Sequence, residues 1–300
     1  MTSNSTSNST GGRGVSIEQL TGDAVGTAAG SSAGPTTRAP TEPAAGQAAG
    51  GRVVLVHGFT QSSRSWDPIA TRLEATGVEV LAWDVPGHGD SPKVPAGLDL
   101  PGAAEMLGEA GGRATYVGYS LGARICLQLA ILRPELVERM VLAGVTAGIE
   151  DLDEREERRA ADERLACELD GGGEAGLPQW IDRWLSGPLF AHLTAEHADR
   201  ESRLRNTAAG LAAALRCLGT GTQRPLWEDA GAIGIPVLIV AGELDPKFTE
   251  LGQRLAQAIG INATFVLVPG SGHAAPFEAP GPFAEMVGAF ARGQGLAGPG

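Results

Sequence analysis

The sequence predicts an α/β fold, a mainly parallel sheet with helices on both faces, and three observations point to it. Short β-branched runs alternate with amphipathic helical patterns over most of the chain. One of those runs passes through a single abrupt turn, Gly118-Tyr119-Ser120-Leu121-Gly122, directly into a helical pattern. A long stretch from Thr146 to Trp227 carries no strand signal at all, so the alternation is interrupted once.

Taken in order, residues 1–50 are rich in Ser, Thr, Asn, Gly and Ala without hydrophobic period. Such composition cannot bury enough apolar surface to offset its ordering entropy, and a disordered leader is expected, with Val15–Leu20 as a candidate edge strand. Arg52–Val56 is the first firm strand, followed by Val78–Trp83, Arg113–Val117, Arg139–Ala143, Pro236–Ala241 and Thr264–Val268. Helical patterns fall at Trp66–Thr76, Leu100–Glu109, Ala123–Leu132, Thr249–Ile259 and Phe277–Ala291. Runs apolar on both faces, joined by helices, belong to a parallel sheet covered on both sides.

Between the fourth and fifth strands come a charged helix, Asp151–Leu169, with pairs such as Glu154/Arg158, then a break at Gly171-Gly172-Gly173 and further helical pieces to Leu218. The expected organisation is a core formed by 51–145 and 228–300, with residues 146–227 inserted as a helical cap over the site. The alternative is that these are surface helices of the main layer.

The chain has 300 residues, 42% apolar, with a formal net charge of −12. That charge argues against nucleic acid or an anionic membrane as the main partner, although a local arginine cluster can still attract a small anion. Cys126, Cys167 and Cys217 show no C-x-x-C spacing, as expected of reduced thiols in a cytoplasmic protein. No run is long enough to span a membrane, and the N-terminus lacks the pattern of a secretory signal. Oligomeric state is not encoded in any feature of the sequence.

Ser120 sits where a strained turn would expose its hydroxyl, and a serine needs a histidine and an orienting acid to act. Asp245, in Gly242-Glu243-Leu244-Asp245, and His273, in Gly270-Ser271-Gly272-His273, each follow a strand at its carboxyl end. Nucleophile, acid and histidine thus occur in the order that suits such a sheet, with Glu243 as an alternative acid. The backbone N–H groups of Leu121, at a helix start, and Phe59, after the first strand, are the expected oxyanion donors. Arg124 lies four residues after Ser120 on nearly the same helical face, where the helix dipole disfavours a cation by about 0.3–1 kcal/mol. An anion at the site would offset that cost. His57, His88, His192 and His197 lack zinc-site spacing, and Gly219-Thr220-Gly221-Thr222 follows a helix rather than a strand, so neither metal, nucleotide nor other cofactor is expected.

These motifs, HGF (57–59), DVPGHG (84–89), GYSLGAR (118–124), GELDPKF (242–248) and SGH (271–273), resemble the α/β-hydrolase superfamily over residues 52–292. Two further segments, Trp180–Phe190 and Arg203–Trp227, with the arginine after the serine turn, look like the 2-succinyl-6-hydroxy-2,4-cyclohexadiene-1-carboxylate (SHCHC) synthases of menaquinone biosynthesis. The resemblance implies a cofactor-free lyase that expels pyruvate from a cyclohexene bearing enolpyruvyl, succinyl and carboxylate groups. Ser120 would be the base, backed by His273 and Asp245. Arg124, with Arg164 and Arg205 as the matching cap arginines, would bind the carboxylates, and Trp184 and Tyr119 would complete the pocket. The second glycine that commonly precedes the arginine is replaced here by Ala123. Two other readings stay open on residues alone: an esterase or carbon–carbon hydrolase working through an acyl-serine, and a non-catalytic binding protein on the same fold.

Overall fold

The computed structural model describes residues 51–91 and 93–294, so the expectations for 1–50 lie outside the described residues. The elements run β1 (Arg52–Val56), α1 (Asp67–Glu74), β2 (Glu79–Trp83), α2 (Leu100–Gly111), β3 (Ala114–Tyr119), α3 (Leu121–Leu132), β4 (Val137–Ala143), α4 (Leu152–Leu185) and α5 (Arg200–Arg203). They continue with α6 (Ala208–Leu218), β5 (Val237–Gly242), α7 (Pro246–Ile259), β6 (Ala263–Val268), α8 (Ala275–Glu278) and α9 (Pro280–Ala291). The strands form one sheet in the order β2-β1-β3-β4-β5-β6, and every pairing is parallel.

Strand alternation divides the core. Val53 and Leu55 of β1, with Val117, Val141 and Val240, pack against Ile69 and Leu73 of α1 and Phe283 and Val287 of α9. Val54 and Val56, with Tyr116, Met140 and Ile239, face α2, α3 and α7 through Leu107, Ile125 and Leu255. The sheet is therefore wrapped on both faces, and the turns that follow β1, β3, β5 and β6 gather at one edge.

Three local readings need correction. The helix expected over Phe277–Ala291 is divided: Ala279 leaves helical geometry at φ −133°, ψ 60°, and Pro280 opens α9, as proline suits a first helical turn. The expected glycine break narrows to Gly173 alone, at φ 55°, ψ −160°, while Gly171 and Gly172 stay helical and α4 continues beyond it. Arg158 pairs forward, its Nε donating to Asp162 Oδ1 at 2.9 Å, rather than back to Glu154.

Among the described residues, 146–227 contain no strand. Here α4 and α6 pack on each other through Ala166, Leu169, Trp180, Ile181, Leu211 and Leu215, and this small core reaches the sheet through Phe59. The two layers are also pinned by polar contacts, since Asn206 donates to Thr60 O at 2.6 Å and accepts from Gly89 N–H at 2.8 Å. Among the described residues no helix is long and apolar enough to cross a membrane.

Candidate active site

β3 ends at Tyr119 and α3 begins at Leu121, so Ser120 alone makes the turn. It does so at φ 51°, ψ −107°, a backbone region that non-glycine residues enter at a cost of about 1–3 kcal/mol. Neighbouring glycines make room: a Cβ on Gly118 would lie 2.5 Å from the Ala123 Cα, and one on Gly122 only 2.1 Å from Val56 O. The Ser120 N–H donates to Ala143 O at 2.9 Å, which ties the turn to β4. Its side chain is left half-buried at the edge where the strands end.

Asp245 caps α7, with Oδ1 accepting from Phe248 N–H at 3.2 Å. Its Oδ2 lies 2.8 Å from His273 Nδ1, and a carboxylate only accepts, so the ring proton sits on Nδ1. The free Nε2 of the neutral ring then faces the Ser120 hydroxyl at 3.3 Å and accepts from it. Glu243 takes no part in this; its Oε2 accepts from Gly270 N–H. The imidazole is held from all sides. Phe248 packs on it at 4.2 Å between ring centroids, and Glu278 accepts from the N–H groups of both Gly272 and Ala274. Glu278 was not among the expected residues, and nothing in its local sequence signals a part in placing His273.

A cavity of about 100 Å³ opens on this group, lined by Ser120, His273, Phe59, Arg124, Arg158 and Trp184 among others. Leu121 starts α3, where the first N–H groups have no partner within the helix, and Phe59 stands across from it. Arg124 is buried, donating from Nη1 to Gln223 Oε1 at 3.1 Å and from Nη2 to Leu218 O at 2.8 Å. Leu218 closes α6, so the carbonyl end of one helix offsets the unfavourable position of this cation in another. Burial, then the nearby Arg158 cation, lowers the Arg124 pKa to about 10, which leaves it charged near neutrality.

The expected cap arginines are misplaced. Arg164 is exposed and does not reach the cavity, and Arg205 is exposed, 4.0 Å from Asp90. Arg158 takes the place expected for Arg164, with Asp162 behind it. Burial raises the pKa of Asp162 first of all, and Arg158 opposes that shift. Two residues before Arg205, the fully buried Arg203 donates to Ala198 O at 2.7 Å, to the Thr60 hydroxyl and to Phe59 O at 3.4 Å, which holds the loop after β1. Tyr119 is also misplaced as a pocket residue: it packs behind His273 and against Phe277, on the α9 side of the sheet. Trp184 lines the cavity, stacked on Trp180 with ring centroids 5.6 Å apart and edge-on to Phe59.

His57 and His88 are fully buried, with His88 edge-on to Phe59 of the cavity lining. His57 donates from Nδ1 to Gly58 O and accepts at Nε2 from Val85 N–H, both bonds suiting the neutral ring. Burial lowers its pKa to about 4. Among the described residues no three His, Cys, Asp or Glu side chains gather in a way that could hold a metal ion.

Comparison with known proteins follows this geometry. A profile of the alpha/beta hydrolase family matches residues 53–286. A protein of Salmonella heidelberg (strain SL476), named 2-succinyl-6-hydroxy-2,4-cyclohexadiene-1-carboxylate synthase, is 31% identical over 247 residues, 78% of this chain and 91% of its own. A Bacillus subtilis (strain 168) protein, provisionally given the same synthase name, is 32% identical over 257 residues, 82% of this chain and 92% of its own. Among solved structures, MenH from S. aureus superposes with a TM-score of 0.75 at 28% identity, covering 81% of this chain and 93% of that one. The chain belongs to the α/β-hydrolase family and, within it, to the group of the SHCHC synthases.

Proposed function

We propose that this protein is an SHCHC synthase, a lyase that eliminates pyruvate from 2-succinyl-5-enolpyruvyl-6-hydroxy-3-cyclohexene-1-carboxylate in menaquinone biosynthesis. The observation that carries the reading is a Ser120–His273–Asp245 chain opening into a cavity that also holds two arginines, Arg124 and Arg158. An ester hydrolase needs the first feature. A substrate with three carboxylates needs both, above all in a protein of net charge −12.

In this mechanism the Ser120 proton is drawn to His273 Nε2, and Asp245 stabilises the imidazolium. The serine oxygen then takes the proton from the ring carbon that bears the succinyl ketone. The C–H electrons pass into the ring, the existing double bond shifts by one carbon, and the C–O bond to the enolpyruvyl group breaks. Protonation of the departing enol at its methylene carbon gives pyruvate, and the ring keeps the conjugated diene. The developing charge resides on the ketone oxygen, within reach of the Phe59 and Leu121 N–H groups. No acyl-enzyme forms and no cofactor enters. Arg124 and Arg158 bind carboxylates, and Arg203 acts on the oxyanion loop by holding Phe59 and Thr60.

Segment 146–227 serves as the cap. On this side the cavity of about 100 Å³ is lined by Trp184, Leu189, Leu215 and Leu218. The three free cysteines suit a reducing cytoplasm.

The test supplies the enolpyruvyl substrate and follows pyruvate release together with diene absorbance. Stoichiometric appearance of both supports the assignment. Absence of pyruvate, with burst release from an activated ester, would assign the site to acyl transfer instead.

A further inference from the structure

A second cleft, of about 300 Å³, shares none of its lining residues with the catalytic cavity. Arg155 and Arg159 of α4, Arg224, Thr222, Gln223 and Gly221 line it. We propose that this cleft is a binding site for a small organic polyanion carrying two or more carboxylate or phosphate groups, separate from the catalytic cavity.

Two features support it. Three arginines line one concavity in a protein with twelve more acidic than basic residues, and planar guanidinium forks suit carboxylate and phosphate oxygens. Glu156 pairs with Arg159 and Asp229 with Arg224, whereas Arg155 has no side-chain partner among the described residues. Finally, the loop is built against α4: a Cβ on Gly221 would lie 2.4 Å from Arg159 N and 2.9 Å from Arg155 O. Only glycine lets the chain approach that closely, which brings Thr222 and Gln223 beside the arginines.

The proposal does not depend on the lyase reading, because its test measures binding. The full chain is titrated calorimetrically with citrate in one arm and pyrophosphate in the other, at constant ionic strength. At least one is expected to bind at a single site with Kd below about 1 mM, and the tighter of the two identifies the preferred acid group. The double variant Arg155→Ala/Arg159→Ala, both at the surface of α4, is expected to weaken that binding by about tenfold or more, each lost charged contact costing at least about 1.5 kcal/mol. Arg158→Ala, on the cavity side of the same helix, should leave it within about twofold. Failure of both probes to bind overturns the proposal. So does a loss in Arg158→Ala that equals or exceeds the loss in the double variant, which would put the anion in the catalytic cavity.

Discussion

The His273 Nε2 lies 3.3 Å from the Ser120 Oγ across 153 residues of sequence, and only the sheet brings the two together. β3 delivers the serine and β6 the histidine, while Asp245, after β5, fixes the ring tautomer from behind. Ser120→Ala removes the proposed base and should abolish pyruvate release without loss of fold, measured by coupled assay and thermal melting. Asp245→Asn should lower kcat by about 10²–10⁴, since it favours the wrong tautomer. Glu243→Gln should leave kcat within about twofold, because its carboxylate binds Gly270 N–H and not the ring.

Substitutions at the arginines separate those that line the cavity from the cap positions that motif likeness suggested. Arg158→Ala should raise KM by about 10–100-fold, the 1.5–3 kcal/mol typical of a hydrogen bond to a charged group. Arg124→Lys keeps a charge but loses the two-pronged fork that Leu218 O and Gln223 now occupy, and should also raise KM. Arg164→Ala and Arg205→Ala, both exposed, should change KM less than twofold. Steady-state kinetics on the four variants decides between the cavity seen here and the cap matches inferred from motif likeness.

What could be read in the sequence, and what could not, follows from the range of the forces involved. All six strands are legible because β-branched runs bounded by turn formers are a local signal. The serine turn is legible for the same reason. Arg158 was not, because a helix offers it Glu154 behind and Asp162 ahead with equal spacing. Docking of α4 over the sheet selects Asp162 and points the guanidinium into the cavity. Tyr119 could have been placed: it follows Val117 by two in β3, so it shares the face packed by α1 and α9. Arg203 and Glu278 act on loops distant in sequence, and no local pattern marks them.

Glycine substitutions test the turn as a packing problem. Gly122→Ala sets a Cβ 2.1 Å from Val56 O, an oxygen of the backbone that β1 holds in the sheet. Overpacking of that kind costs about 1–3 kcal/mol or more, and the turn should shift enough to depress kcat as well as the melting temperature. Gly171→Ala is the control: nothing lies within 4 Å of its Cβ and it is helical, so stability should rise by about 0.5–1 kcal/mol. Equal melting temperatures for the two variants would contradict the packing described for the elbow.

The buried His57 makes stability depend on acid. Its pKa falls from 6.5 to about 4 on folding, first because burial disfavours the charged ring. The unfolded chain therefore binds a proton at this residue below 6.5 while the native state still resists it. The resulting stabilisation is complete above 6.5 and is lost as pH falls towards 4, about 3 kcal/mol across that window. Protonation would also turn Nε2 into a donor facing Val85 N–H, which already donates to it. His88, 5.2 Å away and shifted down to about 3 by burial and by His57, adds to the same trend. His57→Gln can accept from Val85 N–H and donate to Gly58 O without titrating. Urea unfolding at a series of pH values between about 7 and 4.5 should show a shallower decline for the variant than for the wild type, and parallel declines would mean that the titration lies elsewhere.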